Sequence, residues 1–132
     1  MSMATTTDRN GLQVLDRDEC LRLLETCTIG RVGITSGALP VILPVNFRLV
    51  GDQIVFRTGI GTKLDAATRG AVVAFEADAH DAVEHTGWSV LVTGIARQVP
   101  AVDADWIPRW APDGQSCVVA ISTELVTGRR LG

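Results

Sequence analysis

The sequence predicts a small, mainly β domain in which six strands close into a barrel, and three observations lead there. Six short runs rich in β-branched and apolar residues follow one another along the chain. Turn signals at Ser36-Gly37 and Gly51-Asp52 separate the first three runs at the spacing of consecutive antiparallel hairpins. Helical periodicity is confined to two short stretches. An open sheet of six strands would leave two unpaired edges in so small a domain, and closure removes them.

The elements follow in order. Residues 1–12 are polar, lack the apolar core of a signal peptide, and are expected as a disordered arm ahead of a single domain at 13–132. Asp16 and Glu19 stand at capping-box spacing before Cys20, Leu21, Leu23, Leu24 and Cys27, which form one apolar helical face. Cys20 and Cys27 lie a heptad apart and are expected on its buried side. Strands are predicted at 29–35, 41–50, 53–58, 71–77, 88–99 and 117–122, with a short helix at 64–69 ended by Gly70. Residues 78–87 and 100–114 read as irregular segments. The second carries Trp106 and Trp110, which suit a lid over the core, a stacking surface or packing in a dimer.

Composition narrows the function. With 132 residues, 46% of them hydrophobic, the chain suits one globular domain with a real core. Its formal charge of −3 and dispersed arginines lack the footprint of a nucleic-acid binder. The longest apolar run, 38–45, is broken by Pro40 and Pro44 and is too short to span a membrane. Three cysteines without a C-x-x-C pair fit reduced thiols and a cytoplasmic protein. Free cysteine packs as a small hydrophobe, so no thiol nucleophile is expected. Asp78, His80, Asp81, Glu84 and His85 match no common zinc spacing and read as a solvated turn, so no metal is expected.

Lys63 is the one lysine among twelve Lys and Arg residues, and it lies in Phe56-Arg57-Thr58-Gly59-Ile60-Gly61-Thr62-Lys63-Leu64. There an apolar strand enters a Gly-rich turn before a helix. Gly59 and Gly61 let the backbone approach a ligand, Thr62 offers a hydroxyl, and Lys63 and Arg57 supply positive charge, as an anionic phosphate requires. The order of residues is not that of a Walker loop. A plain strand-to-helix connection with a solvated lysine would show the same string.

Four blocks together carry a resemblance: Gly30-Arg31-Val32-Gly33, Leu43-Pro44-Val45-Asn46-Phe47, the Lys63 segment, and Gly87-Trp88-Ser89-Val90-Leu91-Val92-Thr93-Gly94. In order and spacing, over residues 16–132, the chain resembles the pyridoxamine 5′-phosphate oxidase-like family of FMN-binding split barrels. The resemblance implies a six-stranded split β-barrel that dimerises with itself. It further implies FMN, or the deazaflavin F420, held between the subunits and passing hydride to or from a small-molecule substrate. Arg57, Thr58, Thr62, Lys63 and Leu64 would then form the phosphate end, and Val45, Asn46 and Phe47 would line the ring. Trp88 and Ser89 would reach the cofactor from the partner subunit. Trp110 and Arg129 are candidates for the substrate or cofactor edge, although Arg129 and Arg130 equally suit surface ion pairs. A non-catalytic protein that binds flavin, F420 or haem on the same barrel is the alternative. The chain has no histidine after His85. It also lacks the longer C-terminal region with which the vitamin B6 oxidases hold substrate, so that reaction is not expected.

Overall fold

Side-chain burial alternates along most strands of the computed structural model, which describes residues 6–100 and 116–132. Its elements in chain order are β1 (Thr6–Thr7), β2 (Gln13–Leu15), α1 (Arg17–Leu24), β3 (Ile29–Ser36), β4 (Leu39–Val50), β5 (Gln53–Gly59), α2 (Lys63–Ala67), β6 (Val72–Asp81), β7 (Thr86–Val99), β8 (Ser116–Ile121) and β9 (Leu125–Leu131). On β3, Gly30, Val32 and Ile34 turn inward while Ile29, Arg31 and Thr35 turn out. That period of two is the pleat of a strand with one face on a core.

Six strands pair antiparallel into the expected closed barrel. β3 pairs with β4, β4 with β5, β5 with β8, β8 with the C-terminal half of β7, β7 with β6, and β6 returns to β3. The barrel is split because β7 changes partner midway: Ala96 to Val99 pair with β8, whereas Gly87 to Thr93 pair with β9. At the change of partner, a Cβ on Gly94 would overlap the Ser122 carbonyl, so glycine is what lets the two segments cross. Tight turns set the register. Gly37 and Ala38 both take positive φ, 57° and 60°, as a I′ turn requires, and Gly51 at φ 63° opens the next hairpin.

Phe56, Phe75, Leu24, Ile54, Ile121 and Val32 fill the barrel. Phe47 meets Phe75 edge to face, with ring centroids 4.7 Å apart. Such a pair adds about 0.5 to 1.5 kcal/mol beyond the area it buries.

The chain departs from the sequence expectations at four places. Asp16 caps α1 by accepting the Glu19 N–H at 2.8 Å, but Glu19 does not close the capping box. Its carboxylate instead takes Arg22 and Arg130, each a stronger partner than a neutral N–H. α1 ends at Leu24, so Cys27 lies beyond it and half-buried, while Cys20 is fully buried. Residues 78–87 are not irregular, since β6 and β7 continue pairing to Asp81↔Thr86. Finally, β9 was not expected as a strand, and it joins β7 to β2.

Within the 1–12 arm, the described residues from Thr6 onward include β1, which pairs with β2, and a turn closed by Asp8. No helix among the described residues is long and apolar enough to cross a membrane.

Candidate cofactor site

The Gly-rich turn leaves β5 at Gly59 and enters α2 at Lys63. Gly61 has φ 82° and open space around the position of a Cβ, so the backbone there is accessible as well as left-handed. Lys63 is exposed. Thr62 caps α2 by accepting the Asp65 N–H at 3.1 Å and donates its own proton to the Gly59 carbonyl at 2.9 Å. Thr58 Oγ1 lies 3.1 Å from Thr62 Oγ1. In this geometry the two hydroxyls shape the loop and do not aim donors outward. Leu64 is buried in the barrel core, where it anchors α2.

Beneath the loop lies Asp65, a residue that sequence reading passed over. Its side chain is 1% exposed and gathers four partners from three other elements and its own helix end. It accepts from Gly61 N–H at 2.7 Å, Arg69 Nη2 at 2.9 Å, Gln98 Nε2 at 2.7 Å and Cys117 Sγ at 3.5 Å. The Arg69 hydrogen bond first, then the Gly61 N–H, hold this carboxyl well below the usual carboxylate range against the cost of burial. Burial and the neighbouring Asp65 charge push the Cys117 thiol up, away from the reactive thiolate.

Arg57 and Asn46 face outward on the barrel wall beside this loop. Arg57 shares a face of β5 with Val55, next to the small cluster of Val55, Val118, Ala120 and Val99. It is 5% exposed, and its Nη1 donates to Ser116 Oγ at 3.1 Å. Asn46 pairs with Ile29 and points out, while its neighbours Val45 and Phe47 point into the core. The expected ring-lining trio is therefore divided: only Asn46 offers its side chain to the surface.

The remaining expected residues stand on another part of the sheet. Trp88 is half-buried and Ser89 exposed on β7, paired with Arg130 and Arg129 of β9. They line a groove of about 450 Å³ together with Leu12, Arg31, His80 and Arg129. Its guanidinium groups each hold a carboxylate: Arg129 takes Asp8 at 3.0 Å, Arg130 takes Glu19 at 2.7 Å, and Arg31 takes Glu76 at 3.0 Å. Arg129 and Arg130 thus sit in ion pairs. Trp110 lies outside the described residues. Asp78, His80 and Asp81 lie on β6 and His85 in the following turn; among the described residues no group of three or more such side chains is placed to hold a metal.

The sequence pattern that defines the pyridoxamine 5′-phosphate oxidase family matches residues 16–130. The chain belongs to that family. Among its relatives, the uncharacterized protein Rv0080 of Mycobacterium tuberculosis is 43% identical over 129 residues, covering 89% of this chain and 84% of its own. The FAD binding protein from Mycobacterium smegmatis is 34% identical and superposes with a TM-score of 0.78, covering 90% of this chain and 99% of that one. An FAD-binding protein from Mesorhizobium loti, 19% identical with a TM-score of 0.74 over 92% of this chain and 99% of its own, shares the fold.

The residues of this family member suit a phosphate-bearing flavin. An exposed ammonium stands on a loop whose glycine backbone is open, and the outward Asn46 supplies an amide on the adjoining wall. Lys63 and Arg57 were legible in the sequence as positive charge beside the Gly-rich turn. Asp65 was not, because Gln98 and Cys117 lie 33 and 52 residues away in sequence.

Proposed function

We propose that the chain is a flavin-dependent oxidoreductase that holds FMN at the Gly59–Lys63 loop and exchanges hydride with a small molecule. The observation that carries this reading is the exposed Lys63 on its open glycine loop, in a chain 34% identical to an FAD binding protein. When bound, the flavin supplies the redox chemistry, and the protein supplies position and electrostatics. Lys63 pairs with the phosphate dianion, Arg57 adds positive charge two residues before the loop, and Asn46 hydrogen-bonds at the rim of the ring. FAD and F420 also carry a phosphate on the side chain of a tricyclic ring, as a diester rather than the monoester of FMN, and are the alternative cofactors.

The reading includes a homodimer acting in the cytoplasm. Arg57 on β5 and Val99 on β7 both pair with Val118 of β8, and Ser89 lies ten residues farther along β7, about 33 Å of extended strand. A cofactor touching both sets would take them from two copies, with Trp88 and Ser89 reaching in from the partner. Free Cys20, Cys27 and Cys117 are in keeping with a reducing compartment.

The test is the absorbance spectrum and mass of whatever copurifies, followed by titration with FMN, FAD and F420. Tight binding and reduction of one of them by a nicotinamide or F420 system is expected. Failure to bind any of the three sinks the reading. A bound cofactor that cannot be reduced leaves a storage or sensing protein, with haem binding tested in the same way.

A further inference from the structure

We propose that Asp65 is a positioning residue, setting the backbone of the Gly59–Lys63 loop so that Lys63 can discriminate phosphorylated from unphosphorylated flavin. The inference rests on the phosphate-loop reading above and extends it to a residue of opposite charge.

A buried carboxylate under a loop that is to receive a dianion is, on charge alone, in the wrong place. Coulomb repulsion from Asp65 opposes phosphate binding, and Arg69 offsets it only in part because that guanidinium is largely solvent-exposed. The geometry supplies the compensating role. Oδ2 accepts the Gly61 N–H at 2.7 Å, and the Asp65 N–H closes on Thr62 Oγ1, so both ends of the Gly61-Thr62 segment are tied to one residue. Oδ1 accepts from Gln98 on β7 at 2.7 Å and Cys117 on β8 at 3.5 Å. The loop is thereby fastened to β7 and β8 through one carboxylate. Gly61 stands at φ 82° with nothing within 4 Å of its Cβ position, and the Asp65 carboxylate is what holds its N–H. Positioning of this kind stabilises a bound state by removing the cost of ordering the loop when ligand arrives.

Charge and positioning predict opposite signs, which makes the inference testable. Asp65→Asn removes the repulsion, but its amide presents only one acceptor oxygen to donors from four residues, and its NH2 faces at least two of them. Gln98→Ala removes one tie without altering charge, at an exposed position that leaves the barrel core intact. Dissociation constants for FMN and riboflavin are measured for wild type and both variants. Wild type is expected to prefer FMN. Asp65→Asn should lower that preference about tenfold, the size of one lost hydrogen bond to a charged group, and Gln98→Ala about threefold, with riboflavin nearly unchanged in each.

An FMN-to-riboflavin ratio that is unchanged or raised in both variants overturns the inference and leaves Asp65 as a structural ion pair. If Asp65→Asn does not fold, Gln98→Ala decides alone. Wild type that binds neither flavin, or binds both equally, overturns the phosphate-loop reading itself, and the role of Asp65 falls with it.

Discussion

Glu19 on α1 accepts a hydrogen bond from Arg130 on β9 at 2.7 Å, joining residues 111 positions apart. Arg22 donates to both oxygens of the same carboxylate, sharing Oε1 with Arg130, and Arg22 first and Arg130 second lower its pKa from 4.5 to about 2. A carboxyl that ionises more readily when folded adds stability that is complete above its unfolded pKa and is lost as pH falls through the folded one. Asp65 acts in the same sense. Glu76, raised by burial and by Asp78, acts in the opposite sense. Urea midpoints are therefore expected to fall between pH 4.5 and about 2. Glu19→Gln should flatten part of that fall, and an unchanged slope would show that the α1–β9 tie contributes nothing.

Lys63→Ala removes the exposed ammonium of the Gly-rich loop without touching the core. It is expected to weaken FMN by about tenfold or more, the value of a hydrogen bond to a charged phosphate, and to leave riboflavin within about twofold. Fluorescence titration of the two ligands measures this. Equal losses for both would place the phosphate elsewhere.

The barrel was legible wherever one face of a strand meets the core, because inward Val32, Ile34, Val45, Phe47, Val90 and Val92 alternate with outward residues. β9 escaped because its inward positions are Val126, Gly128 and Arg130. Gly128 is needed there, since a Cβ would stand 2.5 Å from the Cys20 sulfur, and that need erases the apolar pattern. The outer ends of β6 and β7 escaped for another reason. Asp78 to Asp81 are exposed on both faces, so no period of two survives. At the cofactor loop the sequence displayed charge and glycine but not what orders them, because Thr62 reads as a free hydroxyl until its cap to Asp65 is seen.

Phe75 is fully buried against Phe47 and beneath Gly30, where a Cβ would strike its ring. Phe75→Ala is expected to cost about 3 to 5 kcal/mol of stability through lost burial and the cavity left behind. Denaturant unfolding measures it. A cost below about 1 kcal/mol would mean that the barrel collapses around the gap.

Gly94→Ala adds a single methyl where β7 crosses the Ser122 backbone, and that neighbour is main chain, which cannot rotate away. Overpacking of this kind costs about 1 to 3 kcal/mol. The loss should appear in thermal unfolding and in hydrogen exchange at Ile95 N–H, which donates to Ser122 Oγ at 2.9 Å. Exchange at Ile95 that matches wild type would show that the crossing has adapted without parting.

The outer sheet face carries Ile42, Val72, Leu91, Ile95 and Leu125, all exposed, around a row in which Ile42, Gly33, Ala74, Thr93 and Leu125 lie in register across five strands. Apolar side chains gathered on one side of a sheet suit a contact with a second copy. Leu91 sits between Glu76 and Thr127 near the middle of that face. A charge there would be buried without a partner in such a contact, so Leu91→Asp is expected to turn a dimer into a monomer in sedimentation velocity. If the cofactor is shared between copies, the same variant should also lose FMN affinity although Lys63 and Arg57 are intact. Monomeric wild type would end the two-copy reading, and a monomeric Leu91→Asp protein that binds FMN normally would confine the cofactor site to one chain.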